Sequence, residues 1–262
     1  MYDPPAYLWA ITIAGTIAFA AAACAVLYSG AVRSGLGRTR AALLAGGAAV
    51  VIGGWFAATA IIAGHGWYHE PLSHGPWLPV AVAGFLGTLL ALSRIPVVAR
   101  ALKAPGMASR LLLPHAFRVE GVVFLLYMAL GHLPALFALP AGLGDITTGL
   151  AAPLVARKLA RGTGRRAALR FTAFGLTDMV LALILGALTA FVLTITPSGA
   201  PITELPLALI PTAVVPLLIA LHITFLQALG RAPAPTHSTA GPLLAGATPQ
   251  PAAAASPASR AR

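Results

Sequence analysis

Acidic residues and cysteine are scarce in this chain of 262 residues. It has six Asp and Glu residues against seventeen Lys and Arg, and one cysteine, Cys24. A single cysteine excludes an intramolecular disulfide, a CxxC redox pair and a cysteine-rich metal site. Charged residues make up only 9% of the sequence, too few to cover the surface of a soluble domain. The composition therefore indicates a protein whose outer surface faces lipid.

The sequence also lacks the common short motifs of enzymes. It contains no Gly-x-Ser-x-Gly elbow, no His-Glu-x-x-His helix and no Walker phosphate loop. A retinal protein is excluded as well, because the only lysines, Lys103 and Lys158, lie outside the apolar stretches and none is available in the last one. These absences favour a protein that is not an enzyme.

Long apolar stretches are what the chain has in abundance. Hydrophobic residues make up 58% of it, and a membrane span needs roughly 20 of them in a row. Seven spans are predicted, at residues 7–29, 41–63, 77–99, 116–138, 141–157, 171–194 and 206–229. The expected fold is an all-α, polytopic transmembrane bundle over residues 1–230. The fifth span is short and follows a turn at Pro140, so spans four and five could instead form a hairpin that crosses only part of the membrane.

The basic residues alternate with these spans in a regular way. All seventeen fall in or beside the connections after spans one, three, five and seven. Because positive residues accumulate on the cytoplasmic side of membrane proteins, the N-terminus is predicted outside and the C-terminus in the cytoplasm. The net charge of +11 is then explained by attraction to anionic lipid headgroups, and no nucleic-acid partner is expected.

The composition changes at the C-terminal end of the chain. Residues 231–262 are rich in Ala, Pro, Ser and Thr, which predicts a disordered cytoplasmic tail. Fifteen arginines against two lysines, together with abundant alanine, are typical of a high-GC bacterial genome. The predicted location is therefore the bacterial plasma membrane.

Histidines cluster near the outer side of the predicted bundle. The candidate ligands are His65, His69 and His74 in the loop between spans two and three, and His132 on span four. If span two continues as a helix, His65 and His69 lie at i and i+4 on one face, a spacing that suits a transition metal. A metal or haem site is one hypothesis, and an interfacial loop anchored by aromatic residues is the other.

A second group of polar residues lies within the predicted spans, where such residues are costly and mark function by default. Its inner members are His115, Arg118, Glu120, Asp178 and His222, and Asp145 on span five is expected nearer the outside. Arg118 is expected to snorkel to the cytoplasmic surface while it pairs with Glu120 or Asp178. The group is either a proton or cation relay or a clamp that holds the helices together.

Three segments carry a resemblance to a known group of proteins. Phe117-Arg118-Val119-Glu120-Gly121, Gly131-His132-Leu133-Pro134 and the Leu-Pro-Ala-Gly-x-Gly-Asp segment 139–145 resemble a family of uncharacterised bacterial multi-span membrane proteins, over roughly residues 115–230. The resemblance implies the same membrane topology and emphasises the same polar residues. It implies no activity.

Three functions remain open from the sequence. The first is a small-solute or ion permease, or a membrane component assisting one. The second is a metal- or haem-binding redox component that uses the outer histidines. The third is a structural or sensory protein whose basic loops and tail bind another membrane or cytoplasmic protein.

Overall fold

The computed structural model describes residues 4–69 and 75–230, and this part of the chain is helical without any β-strand. Its α-helices are α1 (Ala6–Arg33), α2 (Arg38–Gly64), α3 (Trp77–Ser93), α4 (Pro96–Leu102), α5 (Met107–Arg110), α6 (Val122–Ala129), α7 (Ala135–Ala160), α8 (Arg165–Ala187) and α9 (Val215–Leu229). The predicted tail at 231–262 and the candidate ligand His74 lie outside the described residues.

Four tighter or wider helical segments lie between these helices. A 3₁₀ helix, Leu113–Gly121, joins α5 to α6, and π-helical turns extend α8 over Leu188–Val192 and precede α9 over Ile210–Val214. A short 3₁₀ turn, Ala200–Thr203, lies in the connection from α8 to α9. Six helices are consequently long and apolar enough to cross a membrane: Ala6–Arg33, Arg38–Gly64, Met107–Ala129, Ala135–Ala160, Arg165–Val192 and Ile210–Leu229. The α3–α4 pair adds a seventh if it is counted as one span. These helices agree with a multi-pass membrane protein.

The predicted third span, 77–99, is not a straight helix. Helix α3 ends at Ser93 and α4 starts at Pro96, and the two are bent by 88°. Proline has no backbone N–H, so it is tolerated in the first turn of a helix but interrupts one that tries to continue through it.

The boundary between predicted spans four and five is also wrong. The chain turns at residues 130–134, where Gly131 has a φ of +78°, and not at Pro140. Helix α7 runs through both Pro140 and Pro153 for 26 residues, about 39 Å at the α-helical rise. Neighbouring helices can satisfy the carbonyls that an internal proline leaves without a donor. At this length α7 is long and apolar enough to cross a membrane by itself.

Side-chain contacts define two ends of the bundle. At one end Arg33 Nη1 lies 3.5 Å from the carbonyl oxygen of Pro105, and Arg165 Nη1 donates to the carbonyl oxygen of Leu229 at 3.0 Å. Apart from Arg118, the described Lys and Arg residues lie in helix termini and turns at this end, which we call the basic end. At the other end His69 lies 3.1 Å from Thr203 in the long 193–209 connection, and we call it the loop end.

The core is centred on the last span. In Ile210–Leu229 72% of the most apolar stretch is buried, against 11% in α2, so α9 is central and α2 is mostly left to the lipid. The 3₁₀ helix packs between α1 and α7, and its His115 contacts His222 of α9. This arrangement places the 3₁₀ helix, with Arg118 and Glu120, in the interior.

Candidate functional site

Arg118 lies in the middle of the bundle. Along the chain it lies eleven residues from Met107 and eleven from Ala129, the two ends of its span. Its side chain is 1% exposed. The expectation that Arg118 snorkels to the cytoplasmic surface is wrong, because its partners are inside. Its Nε donates to Asp145 Oδ1 at 2.6 Å, its Nη2 donates to Asp178 Oδ2, and its Nη1 lies 3.4 Å from the carbonyl oxygen of Gly175.

The 3₁₀ geometry explains which residues face the interior together. With three residues per turn, side chains at i and i+3 eclipse each other, so His115, Arg118 and Gly121 share one face. All three are buried. Glu120 points instead toward α1 and is 9% exposed. Its Oε1 has no hydrogen-bond partner among the described residues.

Asp145 and Asp178 meet at the same depth, which corrects the expectation that Asp145 lies nearer the outside. Helices α7 and α8 are joined by a short turn at 161–164 and pack against each other. Asp145 lies 15 residues before the end of α7 and Asp178 lies 13 residues after the start of α8. Nearly equal distances from the turn bring both carboxylates to the same guanidinium.

We call Arg118, Glu120, Asp145 and Asp178 the charged cluster. Three carboxylates against one guanidinium give it a formal charge of −2 when all are ionised. Away from water such an excess is costly unless protons or other positive charges compensate it. The composition of the cluster therefore suits uptake of a positive species.

Glycines around the cluster make room for it, and sequence analysis did not single them out for this role. A Cβ atom at Gly144 would overlap the Asp178 carboxylate, and one at Gly15 of α1 would overlap the Glu120 carboxylate. A Cβ atom at Gly121 would lie 3.2 Å from Asp145 Cγ. The signal was present in part, since Gly144 directly precedes Asp145 and Gly121 directly follows Glu120.

His115 and His222 lie directly behind the cluster toward the basic end. Both side chains are fully buried, and their ring centroids are 3.9 Å apart at an interplanar angle of 32°. None of the four ring nitrogens has a hydrogen-bond partner among the described residues. Phe171 packs on both rings at centroid distances of 5.7 Å. The structure therefore joins His222 to the inner group, as expected from the sequence.

A cavity of about 60 Å³ connects the charged cluster with the loop end. All four members of the cluster line its deep part, and Leu78, Phe191 and Thr203 line it toward the loop end. A volume of this size holds a few water molecules or one small ion, at roughly 10–15 Å³ for each water. The cavity and the histidine pair thus lie on opposite sides of Arg118.

The outer histidines are arranged differently from the predicted metal site. Helix α2 ends at Gly64, and Gly66 has a φ of +75°, so His65 and His69 do not share a helical face. His69 Nδ1 lies 3.1 Å from Thr203 Oγ1 and 3.9 Å from Glu204 Oε1. Within residues 4–69 and 75–230, no three His, Cys, Asp or Glu side chains are grouped to hold a metal ion. The metal or haem site at His65, His69, His74 and His132 stays a prediction.

Tyr68 connects the loop after α2 to α2 itself at the loop end. Its side chain is 1% exposed and its hydroxyl lies 2.5 Å from Thr59 Oγ1. Burial raises the pKa of Tyr68 above its usual range. The phenol therefore stays protonated and attaches the loop to α2 at physiological pH.

Comparison with known protein families identifies a family for most of the bundle. A family model described as a domain of unknown function (DUF8737) matches residues 75–230. No curated protein and no solved structure matches the chain. The matched residues cover more than half of the chain and include the whole charged cluster and both buried histidines.

Proposed function

Since this chain belongs to the DUF8737 family, whose function is unknown, we propose its function from the site itself: a small-solute or ion permease, or a membrane component assisting one. The proposed site is the charged cluster with His222. The observation that carries the proposal is a cluster of formal charge −2 in the middle of a span, lining a cavity that reaches the loop end.

The alternative of a structural clamp accounts for only part of this cluster. Arg118 with Asp145 and Asp178 would be a sufficient clamp between the 3₁₀ helix, α7 and α8. Glu120 adds a third buried carboxylate whose Oε1 has no partner among the described residues. A residue that only stabilised the bundle would gain nothing from this placement, because an unpaired buried carboxylate opposes folding.

We place the protein in a bacterial plasma membrane with the basic end in the cytoplasm. Support comes from the arginine-rich, lysine-poor composition and from the collection of the described Lys and Arg residues, Arg118 apart, at one end. In this orientation the N-terminus is outside, and the cavity is reached from outside.

Access to the cluster is one-sided in this conformation. The cavity leads toward the loop end, whereas His115, His222 and Phe171 pack together on the side of the basic end. Transport requires this second side to open in its turn. The π-helical turn Ile210–Val214 contributes Ile210, Pro211 and Val214 to the cavity wall, and a turn with irregular hydrogen bonding is a suitable place for such a movement.

Substitution of Asp178 tests the proposal. Wild-type protein and Asp178→Asn are reconstituted in liposomes, and exchange of radiolabelled solute is measured for a panel of alkali cations, organic cations, amino acids and sugars. We expect exchange of at least one solute by the wild type and a loss of about tenfold or more in Asp178→Asn, equivalent to about 1.4 kcal/mol of binding or barrier energy.

The matched control is Asp3→Asn, which removes an aspartate outside residues 75–230 of the family match. It should exchange solute at the wild-type rate. A monodisperse peak in size-exclusion chromatography must accompany each variant. If folded Asp178→Asn protein exchanged solute as fast as the wild type, the charged cluster would not be the transport site.

A further inference from the structure

We infer that His115 and His222 form a proton route between the charged cluster and the basic end, so that H⁺ is the ion the protein moves. This inference rests on the proposed function for its physiological role. Its physical basis is separate, and consists of the placement of the two imidazoles and the chemistry of the groups around them.

The first observation is the state of the four ring nitrogens. Two imidazoles in contact, both fully buried, would be expected to bond to backbone or side-chain groups, yet none of their nitrogens does so among the described residues. A neutral imidazole has one nitrogen that accepts a proton and one that can release it. In the stacked arrangement no N–H of one ring is bonded to a nitrogen of the other, so a proton passes between the rings when one of them turns and brings its N–H in line with a nitrogen of its neighbour. Because all four nitrogens are uncommitted, no other hydrogen bond within the described part of the chain opposes that turn.

The second observation is the short distance to the charged cluster. A Cβ atom at Gly175 would lie 2.8 Å from His222 Nε2 and 3.1 Å from Arg118 Nη1, so these two nitrogens are no more than about 6 Å apart. Asp178 accepts a hydrogen bond from the same guanidinium. Because Gly175 has no side chain, no atom of it stands between His222 and Arg118, whereas the Cβ atom of any other residue would lie there.

The cluster itself favours a proton over a metal cation. One oxygen each of Asp145 and Asp178 is bound by Arg118, and no group of three His, Cys, Asp or Glu side chains in the described part of the chain could hold a metal ion. Carboxylates that do not converge on one point still accept protons singly. Arg118 keeps its own charge, because a guanidinium is not deprotonated in proteins.

The transfer can be written step by step. A proton from the cavity adds to a carboxylate of the cluster and forms a carboxylic acid. It then moves to the unprotonated nitrogen of His222, the other nitrogen releases its proton to His115, and His115 releases one toward the basic end. Only O–H and N–H bonds form and break. The charged group shown to face the pair is Arg118, and its carboxylate partners are Asp145 and Asp178.

Phe171 of α8 bounds the last part of the route. Phe171 covers both rings and must move before the proton leaves.

The test measures proton flux and solute exchange in separate assays. Liposomes with entrapped pyranine receive the wild type, His222→Gln, His115→Gln or the control His237→Gln, which lies outside the family match. A potassium diffusion potential set with valinomycin drives protons, with and without each solute of the panel above. We expect wild-type and His237→Gln vesicles to pass protons, and the two buried variants to pass them at least about tenfold more slowly.

Solute exchange at equal pH on both sides distinguishes this inference from the proposed function. Loss of proton flux in folded His115→Gln with retained solute exchange supports the proton route. Proton flux without exchange of any solute supports the route and refutes the solute permease. The inference is overturned if wild-type vesicles pass protons no faster than protein-free vesicles under every condition, or if both histidine variants pass them at the wild-type rate.

Discussion

Arg118 holds the centre of the bundle together through charge. It is the buried one among the described Lys and Arg residues, and it bonds to carboxylates on two neighbouring helices. Three separate donors of one planar guanidinium are used, a geometry that lysine cannot reproduce. Pairing with Asp178 was one of two alternatives predicted from the sequence. Pairing with Asp145 was not predicted, because Asp145 was expected nearer the outside.

Removal of Arg118 should unfold the protein far more easily. Arg118→Ala leaves Asp145 and Asp178 buried without their partner, and we expect a loss of roughly 3–5 kcal/mol in the free energy of unfolding, measured by SDS-induced unfolding in mixed micelles. Arg94→Ala is the control. Arg94 is exposed at the end of α3, and its replacement should change stability by no more than about 0.5 kcal/mol.

A second step identifies the cause of this loss. Adding Asp178→Asn to Arg118→Ala removes one stranded charge, and the double variant should be more stable than Arg118→Ala alone. Equal or lower stability of the double variant would show that lost packing, and not an uncompensated carboxylate, determines the effect.

The helical elements are arranged so that α7 can approach the 3₁₀ helix closely. Small residues of α7 face it, and a Cβ atom at Gly149 would lie 2.6 Å from the backbone nitrogen of Val119. Close approach of these two elements brings Asp145 within reach of Arg118. The helical character of both segments was predicted from the sequence. Their true ends were not, since α7 continues through Pro140, which normally stops a helix.

Gly149→Ala should separate these two elements. The new methyl group meets backbone that cannot rotate away, so we expect a loss of about 1–3 kcal/mol in the free energy of unfolding and a solute-exchange rate below that of the wild type. Gly46→Ala in α2 is the matched control, because nothing lies within 4 Å of the added Cβ atom. It should be neutral or stabilise the helix by up to about 1 kcal/mol.

A Gly149→Ala variant as stable as Gly46→Ala would contradict the close contact between α7 and the 3₁₀ helix. Both variants are measured by SDS-induced unfolding in the same detergent. Their helix propensities change equally, so the difference between them isolates the contact.

At the scale of the whole bundle, the described positive and negative side chains lie at different depths. The described cations other than Arg118 are at the basic end, whereas the excess of carboxylates is in the middle of the bundle. The orientation proposed above from the positive-inside rule would put the basic end in the cytoplasm. The cavity would then fill from outside, which gives the orientation a direct consequence for function.

Thiol labelling in intact cells tests this orientation. Cys24 is the single cysteine, so Cys24→Ala provides a background without thiols. Thr194→Cys adds an exposed thiol in the 193–209 connection, and Thr163→Cys adds one in the turn between α7 and α8. We expect a membrane-impermeant maleimide to label Thr194→Cys in intact cells and Thr163→Cys only after permeabilisation. The reverse pattern would place the basic end outside.

The amino-acid sequence was enough to predict a lipid-facing protein, the helical nature of the spans and the separation of basic connections from apolar helices. These properties depend on composition and on local order along the chain, since a span must satisfy its backbone internally and must expose apolar side chains to lipid. The folded chain was needed to find that Asp145 and Asp178 share Arg118, that Glu120 faces Gly15, and that His115 stacks on His222. Those pairings join residues far apart in sequence, and the lengths and bends of the intervening helices determine which side chains reach the same depth.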